Sequence, residues 1–140
     1  MEDIYREQLM EHYKHPHNMG EINEPSKQVE KNNPYCGDLV SMQIKLKDGK
    51  IEDIKFKASA CAVTVASSSL LTEEMKGKTI DEVKRFTKEK LLELLGVELT
   101  TSRTKCAVLP LEALQSMLEG FDDDLDEEPQ KQPKAKKVEK

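Results

Sequence analysis

The stretch VSMQIKLKDGKIEDIKFKA, residues 40–58, decides the fold. Val40, Met42, Ile44 and Leu46 alternate with Ser41, Gln43, Lys45 and Lys47. That period of two sends one set of side chains to a buried face and the other toward water. Asp48-Gly49 is a strong signal for a two-residue turn between antiparallel strands. Ile54, Phe56 and Ala58 resume the alternation on the return strand. The segment therefore predicts a β-hairpin with one apolar face, which other elements must cover.

Those elements lie on both sides of it. After Cys61 the period changes: residues 62–76 are small and apolar early, polar late, and run into Gly77, a suitable helix stop. Ala62, Ala66 and Ser67–Ser69 would let this helix lie close to the sheet. Residues 80–95 hold one or two short helices, with Ile80, Val83, Phe86, Leu91, Leu92, Leu94 and Leu95 as their apolar positions and Gly96 as the stop. A last helix is expected over about 107–119, burying Leu111, Leu114 and Leu118, with Pro110 in its first turn, where proline is tolerated. Before the hairpin, residues 3–14 place Tyr5, Leu9 and His12/Tyr13 on one helical face, and the helix ends at His15-Pro16. Residues 16–38, rich in Pro, Asn and Gly, read as one long loop of the kind that often carries function. The expected class is α+β, a small antiparallel sheet with helices packed on one face.

The chain has 140 residues, 35% of them charged and 4% aromatic, with a mean hydropathy of −0.69. No apolar run approaches the ~20 residues of a membrane helix, and MEDIYREQ lacks the basic-then-apolar pattern of a secretory signal. A soluble, cytoplasmic protein without membrane attachment is expected. The net charge of −5 argues against a nucleic-acid partner, since phosphate binding relies on concentrated Lys and Arg. Composition breaks after Gly120. Residues 1–120 should be the folded domain, and 121–140, an acidic block from Asp122 to Glu128 followed by a lysine-rich stretch, a disordered tail with too little apolar surface to fold.

The chemistry rests on three cysteines, an odd number that does not suit a disulfide framework. Cys36 lies in Asn33-Pro34-Tyr35-Cys36-Gly37-Asp38, Cys61 between the return strand and a helix, and Cys106 just before the last helix. No C-x-x-C is present. Three thiols could simply pack, free cysteine being among the most buried residue types. All three, however, fall at element boundaries. Two of those positions precede helices, whose amide dipoles favour thiolate. Asp38, two residues after Cys36, adds an oxygen donor. Three thiolates and a carboxylate could complete a tetrahedral zinc site or anchor two sulfide-bridged irons, and the spacing alone leaves packing and metal binding both open. His12, His15 and His17 have a spacing compatible with metal binding, but helix-end or surface roles suit them better.

These residues resemble the IscU/NifU-type iron–sulfur cluster assembly scaffolds, with some SufU-like features. The resemblance runs from about Ile4 to Leu118 and is carried by HYKHPHNMG (12–20), NPYCGD (33–38), IEDIKFKASACA (51–62), ASSS (66–69) and KCAVL (105–109). It implies a small antiparallel sheet with helices around it, and a scaffold rather than an enzyme. A cysteine desulfurase would deliver sulfur as persulfide, a transient [2Fe–2S] cluster would be built, and recipient apoproteins would take it. It assigns Cys36, Cys61 and Cys106 as thiolate ligands and Asp38 as the neighbouring carboxylate. Lys105 stands where the Isc branch commonly has a histidine; it is more typical of the Suf branch, whose members act as zinc-bound persulfide acceptors that activate their desulfurase. Lys105 could support the cluster's negative charge from beside the ligands, or be an ordinary solvated lysine. The Suf branch's longer insert between the second and third cysteines is absent. The L-P-P-V-K segment read by a dedicated Hsp70 chaperone is replaced by Leu99-Thr100-Thr101-Ser102-Arg103. A structural zinc domain without sulfur traffic is a third possibility.

Overall fold

In the computed structural model, residues 2–33 and 37–118 are described, with backbone alone for Glu2, Asp3 and Tyr5. In chain order the elements are α1 (Glu2–Lys14), β1 (Lys27–Asn33), β2 (Asp38–Lys47), β3 (Lys50–Ser59), α2 (Ala62–Met75), α3 (Ile80–Arg85), α4 (Lys88–Leu95) and α5 (Thr101–Met117). The side chain of Tyr5, Tyr35 and Cys36, the boundary at Gly120 and the tail 121–140 lie outside the described residues.

The β2–β3 hairpin forms as its alternation requires. Asp48 and Gly49 both take positive φ, 55° and 75°, the type I′ geometry that matches strand twist. Val40, Met42, Ile44 and Leu46 are buried, as are Ile54 and Phe56, while Ala58 is half-buried against the same core. Register slips between Lys45 and Leu46, so that Lys45 pairs with Asp53 and Leu46 with Ile51, leaving Glu52 as the extra residue of a bulge. The bulge turns Ile51 inward beside Ile54 despite their odd spacing, and Ile51 is fully buried.

The expected loop over 16–38 contains a strand that the sequence reading missed. β1 pairs antiparallel with β2 from Lys27↔Ile44 to Asn33↔Asp38, giving the sheet order β1-β2-β3. Its sequence, KQVEKNN, has one apolar residue, Val29, and it is held as an edge strand by backbone hydrogen bonds. The segment between α1 and β1 covers the opposite edge: Phe56 N–H donates to Asn18 O (2.9 Å) and Gly20 N–H to Phe56 O (2.9 Å).

The apolar face of the sheet is covered by α2 and α5, whose Leu71, Met75, Leu111 and Leu114 join the strand residues in the main core. A second cluster, with Leu9, Val63, Ala66, Leu95, Cys106 and Ala107, fills the space toward α1 and α4. This is the expected α+β layering. Residues 80–95 resolve into two helices, α3 with a Thr79–Glu82 capping box and α4 closed by Gly96 at φ 70°. Helix α2 ends at Met75, with Gly77 at φ 83° two residues on. No described helix is long and apolar enough to cross a membrane.

The start of α5 corrects the sequence reading. The helix begins at Thr101, not near 107, because Thr100 caps it by accepting the Arg103 N–H (3.3 Å). Its first turn is polar and exposed, which hides it from an apolar-periodicity search. Cys106 consequently lies inside the helix rather than before it, and Pro110 lies in the interior rather than the first turn.

Candidate metal centre

Three segments deliver the described donors. Asp38 opens β2, Cys61 is the N-cap residue of α2, and Cys106 sits in the second turn of α5. One ligand atom from each lies within 4.8 Å of the others. Asp38 and Cys106 are buried, at 4% and 3% exposure, and Cys61 is half-buried. Among the described residues this is the one group of three or more metal-binding side chains so gathered. Two sulfurs and a carboxylate form a donor set suited to zinc or to iron bridged by sulfide. Cys36, two residues before Asp38 in the chain, lies outside the described residues.

The carboxylate is held at both oxygens. Oδ1 of Asp38 accepts the Cys61 N–H (3.1 Å), satisfying the amide of the N-cap residue of α2. Oδ2 accepts the Thr64 hydroxyl (2.6 Å) and lies 3.5 Å from Cys61 Sγ. Thr64 is fully buried, 3.5 Å from Cys61 Sγ and 3.2 Å from the Cys106 carbonyl. It therefore touches all three donor-bearing residues.

Helix α5 exposes backbone carbonyls to α2 at this point. Residue 110 would normally donate its N–H to the Cys106 carbonyl, but proline has none. The Thr64 hydroxyl lies within reach of that carbonyl, and Ser67 donates to the next one, Ala107 O (2.5 Å). A buried hydroxyl or carbonyl left unpaired would cost about 1–3 kcal/mol, so the polar residues on α2 and the proline on α5 are complementary. The sequence reading noted Ala62, Ala66 and the serines as small, but passed over Thr64. The signal available was a hydroxyl one helical turn beyond a candidate cysteine.

The remaining expected residues are placed elsewhere. Lys105 is exposed on α5 beside Cys106 and lines a groove with Asn32, Asn33, Leu92 and Val108. His12 and His17 face α2 rather than the cysteines: His12 Nδ1 is 2.6 Å from Ser69 Oγ, and His17 Nδ1 is 3.4 Å from Glu73. His15 is exposed. His12 and His17 thus serve the α1–α2 seam. Leu99-Thr100-Thr101-Ser102-Arg103 forms the capped start of α5.

Comparison with known proteins shows the family and the fold. The model of the NifU-like N terminal domain matches residues 4–126. The iron-sulfur cluster assembly scaffold protein IscU 1 of Archaeoglobus fulgidus is 39% identical over 112 residues, 80% of this chain and 72% of its own. The zinc-dependent sulfurtransferase SufU of Bacillus subtilis is 33% identical over 132 residues, 82% of this chain and 89% of its own. A crystal structure from Fervidobacterium islandicum, described as a candidate iron–sulfur cluster assembly scaffold protein for the SUF system, superposes with a TM-score of 0.70 at 28% identity, covering 83% of this chain and 97% of that one.

Proposed function

The chain belongs to the NifU-like N-terminal domain family, and from that premise we propose that it is a scaffold, not an enzyme, on which a transient [2Fe–2S] cluster is assembled. Sulfur comes from a cysteine desulfurase, and the finished cluster passes to recipient apoproteins in a cytoplasm that keeps the thiols reduced. The observation that carries this reading is the gathering of Asp38, Cys61 and Cys106 donor atoms within 4.8 Å at one end of the domain. Cys36 supplies the third thiolate.

The donor chemistry suits a cargo rather than a permanent cofactor. Four thiolates would hold iron firmly. Three thiolates and a carboxylate leave one harder, weaker corner at a borderline-to-soft metal, where a recipient's thiolate can enter. Asp38 is that corner. Lys105, next to Cys106 and exposed, offers positive charge beside an anionic cargo.

A second reading has a specific support, the similarity to a protein named a zinc-dependent sulfurtransferase. In it, the same four side chains hold zinc and a cysteine relays persulfide sulfur. Anaerobic reconstitution with iron, cysteine and a desulfurase separates the two. Acid-labile sulfide with visible charge-transfer absorbance is the expected result, lost when Cys36, Cys61 or Cys106 is changed singly to Ser. Stoichiometric zinc that iron and sulfide fail to displace would instead establish the relay.

A further inference from the structure

We propose that Cys61 and Cys106 are a resolving pair: the half-buried Cys61 accepts sulfur from a persulfide, and the buried Cys106 then expels it as hydrogen sulfide by closing a disulfide with Cys61. The inference rests on the reading of the chain as a sulfur-accepting scaffold and deepens it. The electrons that turn persulfide sulfur into sulfide come from the scaffold's own thiols, and a dithiol reductant resets the pair.

Two closely packed helices bring the sulfurs together. Ala66 of α2 and Ala107 of α5 belong to one buried cluster with Cys106, and Ser67 donates to the Ala107 carbonyl (2.5 Å). Cys61 is the N-cap residue of α2, Cys106 sits in the second turn of α5, and their Sγ atoms lie within 4.8 Å of each other. A disulfide needs about 2 Å, so an approach of at most about 3 Å closes the pair. A rotamer change moves a cysteine sulfur by about that much. Asp38 Oδ2 and Thr64 Oγ1, each 3.5 Å from Cys61 Sγ, keep that sulfur at the centre. The exposures of the two thiols set the order of events. Cys61 is half-buried and within reach of an outside donor, whereas Cys106 is 3% exposed and is reached only from Cys61.

Sulfur transfer then takes two exchange steps. The Cys61 sulfur attacks the outer sulfur of the donor persulfide, the donor leaves as a thiol, and Cys61 carries the persulfide. The Cys106 sulfur next attacks Cys61 Sγ. The Cys61–Cys106 bond forms as the bond from Cys61 to the outer sulfur breaks. The outer sulfur keeps that electron pair, takes the Cys106 proton and departs as hydrogen sulfide. The transferred sulfur is reduced by two electrons, and the two thiols are oxidised to the disulfide. The disulfide withdraws two donors from the metal centre, so metal enters only after a dithiol has reopened the pair.

The test uses the full chain, reduced, metal-free and anaerobic, with glutathione persulfide as the sulfur donor. Released sulfide, a non-reducing peptide digest read by mass, and binding of Co2+, read by its d–d and thiolate charge-transfer absorbance, are followed together. The expected result is about one sulfide per chain, a Cys61–Cys106 disulfide in the digest, and loss of Co2+ binding that dithiothreitol restores. Cys106→Ser should keep the added sulfur on Cys61, removable by cyanide, and release sulfide no faster than the donor alone. Cys61→Ser should take up no sulfur at Cys106. The wild-type digest needs no variant to fold. A wild-type protein that holds its persulfide while Cys106 stays a thiol overturns the inference. So does a disulfide that maps to Cys36 instead, or a Cys106→Ser protein that releases sulfide as fast as wild type. Reconstitution with iron and inorganic sulfide bypasses both exchange steps: a cluster formed there without any disulfide from the persulfide donor defeats the resolving pair alone, and failure of both defeats the scaffold reading with it.

Discussion

The two ends of the β2–β3 hairpin are stabilised by different physics. At the Asp48-Gly49 end the chain turns in two residues, and the strands beside the turn are buried through Leu46 and Ile51 against Met75 and Ile80. Neighbouring backbone completes the pairing: Ile51 N–H donates to Lys78 O (2.9 Å) and Gly77 N–H to Ile51 O (2.8 Å). At the open end, Asp38 and Ser59 part toward different elements. There the buried Asp38 carboxylate and Thr64 hydroxyl are hydrogen-bonded to each other, to the Cys61 amide and to the Cys106 carbonyl, which ties β2, α2 and α5 together. The turn end is specified locally and would be stable wherever an apolar layer covered it. The open end exists only when three distant segments meet, and it concentrates polar groups that a purely structural core would replace with aliphatic ones.

The largest expected effect comes from damaging the turn end alone. Ile51→Ala empties a fully buried site and should destabilise the domain by about 2–5 kcal/mol, read from urea unfolding. The protein that remains folded should bind Co2+ as wild type does. A parallel loss of affinity under folding conditions would show the two ends to be coupled, and the contrast drawn above would not hold.

A smaller effect is expected where α5 begins. Thr100→Ala removes the hydroxyl that accepts the Arg103 N–H and should cost about 1 kcal/mol. Because the first turn of α5 leads directly to Cys106, this variant should also lose Co2+ affinity, unlike Ile51→Ala. Stability loss with untouched affinity would mean the start of the helix does not hold the third cysteine in place.

The same contrast explains what was legible from sequence. The hairpin and its turn could be read because period-two alternation and Asp-Gly are local signals with one structural meaning. The α2 and α4 helices followed from apolar positions and Gly stops. Strand β1 was not legible: an edge strand needs only backbone pairing, and KQVEKNN offers one apolar residue to betray it. The early start of α5 was lost for a related reason, since Thr101–Thr104 is polar and its sole marker is the cap at Thr100. At the centre, the candidate donors Asp38, Cys61 and Cys106 were legible as residue types with a family resemblance, and their convergence is seen only in three dimensions. Thr64 belongs to no motif. Its place beside Asp38 and the Cys106 carbonyl is seen only in the fold.

The smallest effect concerns the α1–α2 seam. Ser69 Oγ accepts the His17 backbone N–H (2.7 Å) and lies 2.6 Å from His12 Nδ1. Its one hydrogen is therefore free to go to His12, which requires an unprotonated Nδ1. Burial first, and then the neighbouring His17, push the pKa of His12 below the ordinary 6.5, while Glu73 and Glu11 pull it partly back. A histidine that binds its proton less readily when folded favours the folded state above the unfolded value, and that contribution fades as pH falls through the lower folded value. The melting temperature should thus fall between about pH 7 and pH 5.5, where histidine titrates, and fall less in His12→Gln, which has no proton to take up. Carboxylates titrating in the same range affect both proteins alike, so the difference between the two curves isolates His12. Parallel curves would show that the seam is indifferent to the protonation of His12 and that the Ser69 hydroxyl can serve either form. A steeper fall in the variant would reverse the sign of the linkage and require His12 to be charged in the fold.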